Sequence, residues 1–199
     1  SQLTRVSRAL LDDDEVGLAV VSVYGELLEL FGEAVRNNPQ VARAAAHASS
    51  AAFRFAGGTL QNDSDFVLEL IAFHNTSHSI INILQYASSD LRGNREVVGE
   101  AVKKQGDALS LASKELRADK EIVLTAVGQN GHALMYAAKE FRADKDVMLE
   151  AVKTKTCPLI YASEGLRADK DVVLAAVRND GCTLAHASIE LRADMDIAL

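Results

Sequence analysis

"LRADKEIVL", residues 116–124, is answered by "FRADKDVML" at 141–149, "LRADKDVVL" at 166–174 and "LRADMDIAL" at 191–199. Either some chemistry needs Arg-Ala-Asp in four copies, or one structural unit is being repeated. With Leu116 as anchor, equivalent positions 25 residues apart are Phe141, Leu166 and Leu191 forward and Leu91 backward. The step from Leu91 to Leu60 is 31 residues, so that unit carries six extra, near 75–81; the period then resumes at Val35 and Leu10. Early copies keep the pattern without the spelling. "FRFAGGTLQNDSDFVLELI" (53–71) aligns without a gap on "LSLASKELRADKEIVLTAV" (109–127). Fixed-period self-similarity is the signature of a stacked repeat array.

Each unit reads as two helices. The first follows Asp119 and runs through "KEIVLTAVGQ". The Asp119 carboxylate can accept from the orphan N–H groups of the first turn, and Asp144, Asp169 and Asp194 stand at the same position. Asn38 also takes this place, with Pro39 next. That pair reads as an N-cap and a proline at the first helical position. Gly131, like Gly25, Gly106 and Gly181, is expected to end the first helix in a left-handed cap. The second helix is expected from about Ala133 to Phe141, with Leu134, Tyr136, Ala137 and Phe141 on its apolar side and Pro158 at the start of the next copy. Ala137-Ala138 recurs as Ala112-Ser113, Ala162-Ser163 and Ala187-Ser188, small pairs that would let helices approach closely. Helices this short do not stand alone in water, so neighbouring hairpins must bury each other's faces.

The run "LRADKDVVLAAVRNDGCTLAHASIELRAD" (166–194) resembles the repeat family known as domain of unknown function 4116. The family's marks are the Leu-Arg-Ala-Asp-Lys phrase, a Val/Leu/Ala helix, a glycine, and a short helix ending Tyr-Ala-Ser, the last spelled His-Ala-Ser in this run. The resemblance is specific over 86–199 and rests on period alone before that. It implies helical repeats and an interaction role, with no catalytic residues to carry over. The expected fold is therefore all-α: a right-handed superhelical α-solenoid of short helix-turn-helix repeats. It forms one continuous array over 1–199, about eight units and sixteen helices. Leu3 falls at the Leu109 position and Leu199 inside a first helix, so the chain reads as a fragment of a longer array.

Composition fits this reading. Apolar residues make up 48%, mostly Ala, Val and Leu, with no Trp. Gly and Pro are too scarce for an all-β chain with many tight turns. The net charge is −7 and no basic stripe is present, which argues against a nucleic-acid partner. The most apolar run, "VGLAVVSVYGELLELF" (16–31), carries Glu26 and Glu29 and is too short to span a membrane. Cys157 and Cys182 sit one repeat apart. Stacked helices lie about 8–10 Å apart and a disulfide needs Cα atoms within about 7 Å. Two free thiols and an intracellular reducing compartment, the cytoplasm, are expected.

Catalytic signals are lacking: there is no Gly-x-Ser-x-Gly, no Walker loop, and no activating context at either Cys. No enzyme, cofactor or metal is expected. "HNTSH" (74–78) falls in the insertion; its two His would share a helical face, but no third ligand can be named, so a polar surface loop is the plainer reading. The ladder Arg92, Arg117, Arg142, Arg167 and Arg192 could clamp an acidic ligand. It reads more simply as arginines meeting free carbonyls or a neighbouring Asp at helix ends.

Two positions of the second helix vary between units. One is Ser110, Met135, Ile160, Ala185; the other is Lys114, Lys139, Glu164, Ile189. Each pair is four apart, so on a continuous helix both share one face and stacking would align them into a ridge. The ridge is the expected docking site of a protein partner; the alternative is that these residues pack between units. Two roles compete for the whole chain. One is a non-catalytic scaffold for protein–protein interaction. The other is a spacer or targeting segment of a larger protein whose activity lies elsewhere.

Overall fold

The computed structural model of the protein describes residues 8–154, 156 and 158–193. Leu3, Cys157, Asp194 and Leu199 lie outside them. Every regular element among the described residues is helical, so the chain is all-α. It divides into two compact units, residues 1–100 and 101–199, and each is described by itself.

The repeat has three parts rather than two. In the second unit a long helix, Lys120–Gln129, is followed by a 3-10 helix, Gly131–Met135, and then by a second short element, Lys139–Ala143. The next copies are Lys145–Ala151, Pro158–Tyr161 and Glu164–Arg167, then Lys170–Asn179, Gly181–His186 and Ile189–Arg192. The first unit follows the same order with Pro39–Ala48, Ser50–Phe55 and Gly58–Gln61. The expected continuous second helix from Ala133 to Phe141 is thus broken at Ala137–Ala138.

A bond between repeats makes the break. The Ala138 N–H donates to the Arg117 carbonyl of the preceding repeat at 2.8 Å, Ser163 to Arg142 at 2.8 Å and Ser188 to Arg167 at 2.8 Å. In the first unit Gly32 donates to Leu11, Gly57 to Arg36 and Ser88 to Gln61 at 2.8–2.9 Å. A donor turned toward a neighbour cannot also serve its own helix, so the backbone goes extended there (Ser163 φ −62°, ψ 160°) and the chain restarts. The serines of the small pairs have a different task from close approach: Ser113, Ser163 and Ser188 cap the short helix, accepting from the N–H groups of Leu116, Leu166 and Leu191 at 3.3–3.4 Å. Where Ala138 replaces the serine there is no side-chain cap, and the short element is 3-10. Ala138→Ser is expected to raise the unfolding free energy by about 1 kcal/mol, read from denaturant titration of the variant beside the parent protein.

Long helices bury two adjacent rows, because they are covered on two sides. Ile122, Val123, Ala126 and Val127 are each at most 5% exposed, and Val41, Ala42, Ala45 and Ala46 repeat the spacing. The anchors Val35, Leu60, Leu91, Leu116, Phe141 and Leu166 are buried, whereas Leu10 is exposed. Against expectation, Gly131 is not a left-handed cap: no described residue has positive φ. The helix ends at Gln129, and Gly131 begins the 3-10 helix. The glycine is needed for close approach. A Cβ on Gly106 would lie 2.4 Å from the Ala126 carbonyl oxygen, and one on Gly25 would lie 2.3 Å from that of Ala45. Where Thr156 takes the glycine's place, the preceding long helix stops early, at Ala151.

The insertion is not a loop. His74, Asn75 and Thr76 make the connection, and Ser77–Tyr86 forms a ten-residue α-helix where other repeats have a 3-10 helix. Thr76 caps it at Ser79 N, and Asn82 donates to Ser50 of the preceding repeat at 3.2 Å.

Candidate functional site

Helix starts set the frame of the site. Asn38 accepts from Gln40 N at 2.9 Å, and Asp119 accepts from Glu121 N and Ile122 N at 3.0 and 3.1 Å. Asp144 and Asp169 hold the equivalent pairs of N–H groups at 3.0 and 3.2 Å.

The side chains that meet Asp144 and Asp169 are lysines, a pairing absent from the reading of the arginine ladder. Lys120 bridges to Asp144 at 2.8 Å and Asp146 at 3.2 Å of the next repeat. Lys145 reaches Asp169 at 2.8 Å and Asp171 at 2.9 Å. The sequence carried a signal in the Lys that follows Asp in three of the four phrases, Lys120, Lys145 and Lys170. Hydrogen bonding to Lys145 is the main cause that holds the Asp169 carboxyl below its ordinary range. At Asp144 burial pushes upward, but Lys120 and the Val147 N–H outweigh it, and the net direction is down. A depressed carboxylate contributes stability above the unfolded value, about 3.9, and that contribution is lost as pH falls through the folded value. Asp144→Ala is therefore expected to cost about 1 kcal/mol at neutral pH. The gap from the parent protein should close below about pH 4; a gap unchanged between pH 7 and pH 3 would refute the charge-based account.

Of the arginines, Arg92 donates to the Gln85 carbonyl at 3.2 Å. The Nε atoms of Arg117 and Arg142 are buried and have no hydrogen-bond partner. The expectation that these arginines meet a neighbouring Asp gives way here, because lysine occupies those carboxylates.

All eight ridge residues are exposed: Ser110, Lys114, Met135, Lys139, Ile160, Glu164, Ala185 and Ile189. Met135, Ile160 and Ile189 are 43%, 52% and 72% exposed, so they are not buried between repeats. A shared face of one helix does not align them, since Met135 and Lys139 lie on separate elements either side of the break. Stacking of the 3-10 helices brings neighbours together instead. The Tyr161 hydroxyl lies 3.1 Å from His132 Nδ1 and 3.9 Å from Met135 Sδ of the preceding repeat. A surface pocket of about 220 Å³ gathers Lys114 and Arg117 of one repeat with Tyr136, Ala137, Ala138 and Lys139 of the next. Arg117 and Tyr136 were not among the ridge residues, because only the break turns them to one place.

His74 Nε2 lies 3.0 Å from the Ala46 carbonyl oxygen, and His78 sits in the first turn of the inserted helix. Among the described residues, no three or more His, Cys, Asp or Glu side chains gather where they could hold an ion. Cys182 is a free, exposed thiol. No helix among the described residues is long and apolar enough to cross a membrane.

Short repeats whose long helices open on an Asx cap, stitched to their neighbours within each unit by amide-to-carbonyl bonds, define a helical-repeat protein. The chain belongs to the family described as Domain of unknown function (DUF4116), whose model matches it three times, over residues 77–117, 119–167 and 169–199. No curated protein and no solved structure matches the chain.

Proposed function

We propose that the chain is a non-catalytic scaffold that binds a protein partner through the ridge of its second unit. One observation carries this reading: Met135, Ile160 and Ile189 leave large apolar surfaces in water at successive repeats. Exposed apolar area marks interaction sites where it is contiguous. Variation along the ridge, set against near-constant core positions, gives such a surface the means to discriminate between partners. The reducing interior of a cell is the proposed setting.

Met135→Glu combined with Ile160→Glu tests the proposal. Both residues are exposed, so the melting temperature should move by no more than a surface change does, within about 0.5 kcal/mol per site. Recovery of whichever protein co-purifies with the parent chain should fall at least about tenfold, the equivalent of 1.4 kcal/mol. Unchanged recovery with an intact fold would sink the ridge as the docking site.

A further inference from the structure

The geometry points to an acidic peptide segment as the ridge's partner, with its carboxylates seated where Lys114, Arg117 and Lys139 converge. This rests on the ridge being a docking surface and adds the chemistry of what docks there. The chain carries a net charge of −7, yet the pocket across the Ala137–Ala138 break is lined by three cations and no carboxylate. Glu115 feels the charges of Lys114 and Arg117 but lines no part of the pocket; it is engaged first with its own N–H and the Ser113 hydroxyl. Arg117 Nε is withdrawn from water without an acceptor. Arg142 carries the same orphaned Nε one repeat on, so that atom marks no ligand by itself; an arriving carboxylate would pair with the part of the Arg117 guanidinium that lines the pocket and with the Lys114 and Lys139 ammonium groups.

The cluster is built by stacking. Lys114 and Arg117 come from one repeat and Lys139 from the next, so no single repeat presents it. It is also confined to one step of the ridge: the equivalent pair one repeat on is Lys139 and Glu164, and beyond that Glu164 and Ile189. Charge selection therefore belongs to the repeats at 114–139, and apolar contact to Ile160 and Ile189. The partner segment carries acidic residues toward one end and large apolar residues toward the other.

The test is selection of a random dodecapeptide display library on the whole chain at low salt. Winners are then synthesised and titrated by fluorescence anisotropy. They should be net acidic, with apolar residues toward one end. Their affinity should fall at least about tenfold for Lys114→Glu with Lys139→Glu, fall for Met135→Glu with Ile160→Glu, and weaken in concentrated salt. Circular dichroism melting of each variant separates lost binding from lost fold. Neutral or basic winners that depend on Met135 and Ile160 would overturn the acidic partner and leave the ridge standing. Winners indifferent to both pairs of substitutions, or no enrichment at all, would overturn both. Displacement of the peptide by a single-stranded DNA oligonucleotide, with the same dependence on Lys114 and Lys139, would also overturn it in favour of a nucleic acid.

Discussion

Phe141→Ala is expected to lower the unfolding free energy by about 3–5 kcal/mol, the range for emptying a large buried aromatic site. Phe141 is 6% exposed and holds the anchor position. It sits in the 3-10 element Lys139–Ala143, which packs against the long helix Lys145–Ala151. That element lacks a side-chain cap, so its place depends on what Phe141 buries. Phe141→Leu, by contrast, should cost less than about 1.5 kcal/mol, because Leu91, Leu116 and Leu166 fill the same site in other repeats. Urea denaturation of both variants checks the pair. A loss below about 1 kcal/mol for the alanine variant would show that neighbouring repeats collapse into the space.

Gly106→Val should cost about 3 kcal/mol, at the upper end for overpacking. An added Cβ would meet the Ala126 carbonyl oxygen at 2.4 Å, Gln129 Oε1 at 3.0 Å and the Asn130 Cβ at 3.1 Å. The carbonyl belongs to helix backbone, which cannot swing aside like a side-chain tip. Its displacement would also strain the bond from Gly106 N to Gln129 Oε1. Gly165 is the control. It lies in the short helix Glu164–Arg167, and an added Cβ there would meet nothing within 4 Å, so Gly165→Ala should gain up to about 1 kcal/mol from helix propensity. Equal losses at both glycines, measured by thermal unfolding, would contradict close approach as the reason for Gly106.

Local chemistry was legible in the sequence, and chemistry shared between repeats was not. Asn38-Pro39 and the Asp of each phrase announce helix starts, because capping needs only the next two or three residues. The 25-residue period and the anchors were equally plain. The break at Ala137–Ala138 could not be read locally, since its cause is the Arg117 carbonyl of another repeat. Gly131 misleads for a related reason: a glycine after a helix fits a left-handed cap, and nothing nearby in sequence reveals the Ala151 carbonyl pressing on it. The insertion looked like a polar loop because His74 to His78 are polar, yet the six added residues lengthen a 3-10 turn into a full helix. On the ridge, variation between repeats picks out the exposed side chains, while Arg117 and Tyr136 give no such signal because only the broken backbone turns them to the same pocket.

The amide-to-carbonyl stitch between repeats bears on how such a gene can change. Within each unit, donor and acceptor are main-chain atoms, and they recur at Ala138, Ser163 and Ser188 whatever the side chain. A main-chain joint asks nothing of the residues on either side except that the backbone turn at the same place. Unequal recombination that adds or removes a whole repeat would join one unit's carbonyl to another's amide and leave the junction as it was, with no compensating substitutions needed. Gain and loss of copies, and later drift of the exposed row, are then separate events: duplication lengthens the surface first, and point mutation gives each copy its own character afterwards.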